Sequence, residues 1–99
     1  MSVLVTIKVP GDTAQFRQVL DTQPDRIKAL SDRARAGGCV HHQFGVGDGF
    51  VVVVDEWETA EAFQSFFSSP DIGAIIVEMG AQGEPEITIA ESIDSPDRF

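Results

Sequence analysis

FVVVVDEWETAEAFQSFF, residues 50–67, carries most of the architectural information in this chain. Its first five residues are apolar and largely β-branched, the composition of a strand buried on both faces. Asp55, Glu56 and Trp57 close that run. Thr59 can then cap a helix, and Glu61 falls in the first turn, where a carboxylate suits the positive end of the helix dipole. Phe63, Phe66 and Phe67 follow at helical spacing and give the helix one aromatic face. Two acids and the only tryptophan are thus delivered to a strand–helix junction.

Upstream, residues 2–9 alternate, with Val3, Val5, Ile7 and Val9 on one side, as in a strand with one strongly buried face. Pro10-Gly11 ends that strand. Asp12 or Thr13 can cap a helix whose apolar positions are Phe16, Val19 and Leu20. Pro24 should interrupt it, since proline lacks an N–H and clashes with the preceding turn, and can equally open a new helix. Ile27, Leu30 and Ala34 extend the apolar stripe to Gly37-Gly38, a helix stop. Residues 39–44 form a second strand containing His41 and His42. Residues 45–49, GVGDG, read as a glycine-rich hairpin turn into the Phe50 strand. No helix follows that turn directly, so it lacks the helix N-terminus of a phosphate cradle.

Downstream, Ser69-Pro70-Asp71 starts another helix, with Ile72, Ile75, Ile76 and Met79 at core spacing and Gly80 at its end. Residues 86–93 form the last strand, with Ile87, Ile89 and Ile93 on one face. Residues 1–94 make a single domain, and 95–99 a polar C-terminal tail.

The chain has 99 residues, 42% hydrophobic and 23% charged, the balance of a globular domain. No apolar run is long enough to span a membrane, and the N-terminal residues read as a strand, which points to a cytoplasmic protein. The net charge is −9, and five of the seven basic residues lie between Arg17 and Arg35, interleaved with Asp21, Asp25 and Asp32. That mixture describes a solvated helix face and argues against nucleic acid as a partner. Cys39 is the only cysteine and so forms no internal disulfide; it reads as a small buried side chain.

The order β-α-β-β-α-β, with each helical unit broken by a proline, is the split βαβ arrangement. It gives a ferredoxin-like α+β fold with a four-stranded antiparallel sheet and helices on one face. The central strand is apolar on both sides, yet the chain has helices for only one. A second copy of the chain, packed sheet to sheet, is the simplest cover for the other.

The run VVVVDEW followed by ETAEAFQSFF and SPDI, with GGCVHHQF before it, resembles the dimeric α+β barrel superfamily, in its antibiotic-biosynthesis-monooxygenase-like branch. The W-E-[ST]-x-E-x-F pattern at Trp57 to Phe63 is its most specific part. The resemblance implies a homodimer whose sheets form a barrel, with a small-molecule pocket between sheet and helices in each subunit. It also implies oxygenase chemistry without cofactor or metal on an aromatic or polyketide-like substrate. Such oxygenases place an asparagine and a tryptophan, often with a tyrosine, in the pocket. Trp57 matches the tryptophan, but this chain has no asparagine and no tyrosine. The haem-degrading branch uses a histidine on the later helical segment; here Ile76 stands near that place, and no histidine follows His42.

His41 and His42 are adjacent in a strand, so they point to opposite faces. If Phe44 pairs with Phe50, His41 shares a face with Val53, Asp55 and Trp57; a one-residue slip exchanges it for His42. On the first register, His41 is the candidate general base with Asp55 holding its tautomer. Trp57, His42, Phe63 and Phe67 are the candidate substrate contacts, Trp57 being either core or pocket wall. Asp55 and Glu56 alternate faces and do not make a two-carboxylate site. The serines have no glycine elbow around them. Two non-catalytic readings stand beside the enzyme: a small-ligand-binding or stress-associated protein using the same pocket, and an acidic surface that docks a basic protein.

Overall fold

A computed structural model describes residues 2–99. Four strands and four helices follow in the order β1 (Val3–Pro10), α1 (Thr13–Thr22), α2 (Pro24–Ala36), β2 (Cys39–Gly47), β3 (Phe50–Trp57), α3 (Ala60–Phe67), α4 (Pro70–Glu78) and β4 (Glu86–Glu91). The sheet is antiparallel throughout and ordered β2-β3-β1-β4. This is the ferredoxin-like α+β architecture expected from the sequence.

Local chemistry sets the helix ends. Asp12 caps α1, its Oδ1 accepting the backbone N–H groups of Ala14 and Gln15 at 3.0 and 3.1 Å. Pro24 occupies the first turn of α2, and α1 stops two residues before it. Thr59 caps α3 through Oγ1, which accepts the N–H of Ala62 at 3.0 Å. Pro70 opens α4.

Two features of the hairpin differ from expectation. The strands continue through Gly45, Val46 and Gly47, so the turn is only Asp48-Gly49, with Gly49 at a φ of 81° that favours glycine. Gly47 therefore opposes Phe50, and Phe44 opposes Val53 rather than Phe50. Gly47 is small for a reason: a Cβ there would lie 2.1 Å from the Phe50 ring. At its other end β2 carries a bulge, since Cys39 pairs with Trp57 and His41 with Glu56, leaving Val40 as the extra residue. The last strand also ends earlier than expected, at Glu91, and Ile93 beyond it is 80% exposed.

Val5, Ile7, Val51 and Trp57 project from the inner sheet face and are buried with Phe16, Ala34, Phe63 and Ile72 from the four helices. Fully burying one such aliphatic or aromatic side chain contributes about 1.5–3 kcal/mol. The outer face holds Leu4, Phe50, Val52 and Val54, and no helix covers it; Leu4 and Val54 are both 47% exposed. The strand expected to be buried on both faces is thus buried on one within a single chain.

Helices α2 and α4 run antiparallel and are bridged at two places, by Arg26 with Glu78 and by Arg33 with Asp71. The Arg33 guanidinium holds the Asp71 carboxyl below the usual carboxylate range. All four side chains are substantially exposed, so solvent screening leaves each pair only a minor contribution. Among the described residues no helix is long and apolar enough to cross a membrane.

Candidate active site

The inner face of β3 presents Val51, Val53, Asp55 and Trp57 in alternation, and the observed register places His42 of β2 directly opposite Asp55. Asp55 is 6% exposed, a carboxylate in an otherwise apolar interior. Both of its oxygens are occupied. Oδ2 accepts the indole Nε1–H of Trp57 at 3.0 Å, and Oδ1 lies 2.7 Å from Nδ1 of His42. These bonds offset the cost of burying the charged group.

An ionised carboxylate can only accept, so Nδ1 of a neutral His42 carries the hydrogen. The lone pair then sits on Nε2, where it can take a proton. The His42 side chain is 32% exposed, so the ring spans the interior and solvent. Its edge meets Phe44, with centroids 4.7 Å apart.

A cavity of about 150 Å³ lies between the sheet and the helices, with His42, Asp55 and Trp57 on its wall. The rest of the lining is nearly all apolar. Phe63, Phe66 and Phe67 of α3 form one side, and Ile76 of α4 lies on it too. Trp57 packs against Phe63 and Phe66 at centroid distances of 5.7 and 5.4 Å, and Phe63 stacks on Phe67 at 5.4 Å. Aromatic and apolar walls with a few polar groups are the usual composition of a small-molecule site.

The structure therefore brings His42, Asp55, Trp57, Phe63 and Phe67 to one cavity and leaves His41 outside it. His41 opposes Glu56 on the other sheet face and is exposed. Its expected place beside Asp55 is corrected by the hairpin register: the three-residue shift from Phe44 to Gly47 reverses the parity of the strand. Sequence reasoning did not assign Phe44 and Phe66 to the site. Phe66 was visible as the i+3 neighbour of Phe63, and Phe44 as the residue two along from His42.

Cys39, opposite Trp57, is buried, and its Sγ donates to the His41 carbonyl at 3.2 Å. Burial first, and the Asp55 charge second, push its thiol up to about 11. At neutral pH it is a thiol rather than a nucleophile. Among the described residues no three His, Cys, Asp or Glu side chains gather as a metal-ligand group.

No protein-family model matches the chain, and no curated protein sequence matches it. Solved structures do. A monooxygenase from the ActVA-Orf6 gene of Streptomyces coelicolor, in complex with nanaomycin D, is similar at a TM-score of 0.69 and 14% identity over 99% of this chain and 93% of that one.

The chain has the fold of the antibiotic biosynthesis monooxygenases.

SnoaB, a cofactor-independent oxygenase from Streptomyces nogalater, is similar at a TM-score of 0.57 and 15% identity, over 98% of this chain and 97% of its own. A dimeric ferredoxin-like protein from an uncultured marine organism is similar at 0.65 and 13%, covering 99% and 93%. At these identities the likeness is one of fold. The pocket between sheet and helices is lined by this chain's own residues.

Proposed function

We propose that this chain is a cofactor-independent monooxygenase acting on a planar aromatic or polyketide-like substrate, with His42 as general base. One observation carries the proposal: the hydrogen-bonded residues His42, Asp55 and Trp57 together line an apolar, aromatic-walled cavity. The solved structures described as oxygenases support it through the shared fold.

The step balances without a redox partner beyond oxygen. Nε2 takes a proton from an activated CH2 of the substrate. The resulting carbanion reduces O2 by one electron, and the radical pair combines to form a C–O bond. The peroxide recovers the proton from His42 and loses water, leaving a carbonyl. One CH2 and one O2 become one C=O and one H2O. Asp55 stabilises the imidazolium that forms, and Trp57 holds Asp55 in place.

The same reading has the chain working as a homodimer through its outer sheet face. Leu4, Val52, Val54 and Phe50 offer an apolar surface there, and one solved structure of this fold is described as dimeric.

Oxygen uptake with anthrone and related three-ring ketones tests the activity. Stoichiometric oxygen consumption that His42→Gln abolishes is the expected result. If a folded dimer consumes no oxygen above buffer with any of them yet retains such compounds, the pocket is a binding site and the enzyme reading fails.

A further inference from the structure

His42 is a wall of two spaces. Besides the interior cavity it lines an open groove of about 380 Å³ on the protein surface, between α2 and the edge strand β2. Ile27, Ser31, His42 and Phe44 border both spaces, so the groove and the cavity adjoin at the imidazole. The groove adds polar chemistry that the cavity lacks. Lys28 of α2 lines it.

Charge decides what the two compartments accept. The cavity holds the buried Asp55 and has no lysine or arginine on its wall. An anionic substituent would be desolvated there and repelled by that carboxylate. Arg26 and Arg33, elsewhere on α2, are already engaged by Glu78 and Asp71. Lys28 forms no ion pair among the described residues, although Asp25 and Asp32 flank it on the same helix. It is the cation on the groove side of His42.

We propose that this groove is an anion subsite. On the reading that an aromatic ring fills the cavity, the ligand is a planar aromatic bearing one carboxylate. Its rings lie against Trp57 and the α3 phenylalanines. The carboxylate passes His42 and rests on the Lys28 ammonium. The site thereby selects amphipathic acids over their neutral parents.

The test uses a matched pair, 2-naphthol and 6-carboxy-2-naphthol, titrated into 15N-labelled wild type and Lys28→Glu and followed by NMR. Lys28 is an exposed helical residue, so its replacement leaves the cavity wall intact. The expected result is that wild type binds the acid about fivefold more tightly than naphthol, and that Lys28→Glu removes this preference while the naphthol affinity stays put. Both ligands should move the Trp57 indole resonance. If the acid binds wild type and Lys28→Glu equally well, or if the variant weakens both ligands alike, the subsite is overturned and the cavity reading stands. If neither ligand moves the indole resonance, the cavity reading fails and the subsite falls with it.

Discussion

Oδ1 of Asp55 lies 2.7 Å from Nδ1 of His42, directly across the β2–β3 pairing. The contact joins an edge strand to a central one, and it selects which ring nitrogen of His42 is basic. Asp55→Asn retains the shape but turns one oxygen into a donor, and the Trp57 N–H keeps the remaining oxygen as its partner. The amide NH2 then faces Nδ1, which becomes the acceptor, and the hydrogen moves to Nε2. Ring 15N shifts of His42 should report this reversal of tautomer, and oxygen uptake should fall by about 10²-fold or more. An unchanged tautomer would show that Asp55 does not set it.

The two histidines should separate cleanly. His42→Gln is expected to lower turnover by about 10²–10⁴-fold, the usual worth of a positioned base. His41→Gln, on the exposed face opposite Glu56, should leave turnover within about twofold. Equal losses in both variants would remove His42 from its proposed role.

Trp57→Phe deletes the N–H that satisfies Asp55 Oδ2 while keeping an aromatic ring in the core. A buried carboxylate oxygen is then left without its partner, at a cost of about 1–3 kcal/mol. Urea denaturation should show this as a lower midpoint with little change in slope.

Cys39 predicts a pH dependence. Its thiol sits at about 11 in the folded chain, against an ordinary 9.0. The fold therefore favours the protonated form. The stability this contributes is complete below about pH 9 and is lost as the pH climbs towards 11. Cys39→Ala should flatten that stretch of the stability curve. Iodoacetamide should label the native thiol slowly at pH 8 and rapidly once urea unfolds the chain.

Val54 and Val77 are both exposed apolar residues on different surfaces, the first on the open sheet face and the second on α4. On the dimer reading, Val54→Asp should weaken self-association by at least about tenfold in sedimentation equilibrium, because it places a charge in an apolar contact. Val77→Asp should have no such effect. A wild-type monomer at micromolar concentration would remove the dimer altogether.

Much of this architecture was legible residue by residue. Asp12, Pro24, Thr59 and Pro70 announce helix starts through short-range chemistry, and all four mark real ones. The alternation at Val5 and Ile7 marks a buried face because strand periodicity is local. The choice between His41 and His42 was not legible in this way. It depends on how many residues form the hairpin turn, and GVGDG is compatible with several turn lengths. The two-residue Asp48-Gly49 turn sets it, and Gly47 then leaves room for the Phe50 ring across the hairpin. The surface groove beside Lys28 was equally hidden, since it exists only once α2 lies along β2.

The bulge at Val40 has a bearing on how chains of this fold are aligned. Counted back from the Asp48-Gly49 turn, the inward positions of β2 are even-numbered, yet beyond Val40 the inward residue is Cys39. The parity of the strand changes at a single residue. An alignment anchored on Gly37-Gly38 and one anchored on the turn will disagree by one position wherever a relative lacks the extra residue. At 14% identity, nothing else in the strand corrects the error. Single-residue insertions and deletions, more than substitutions, are therefore the changes by which this edge strand can exchange the side chain it offers to the cavity.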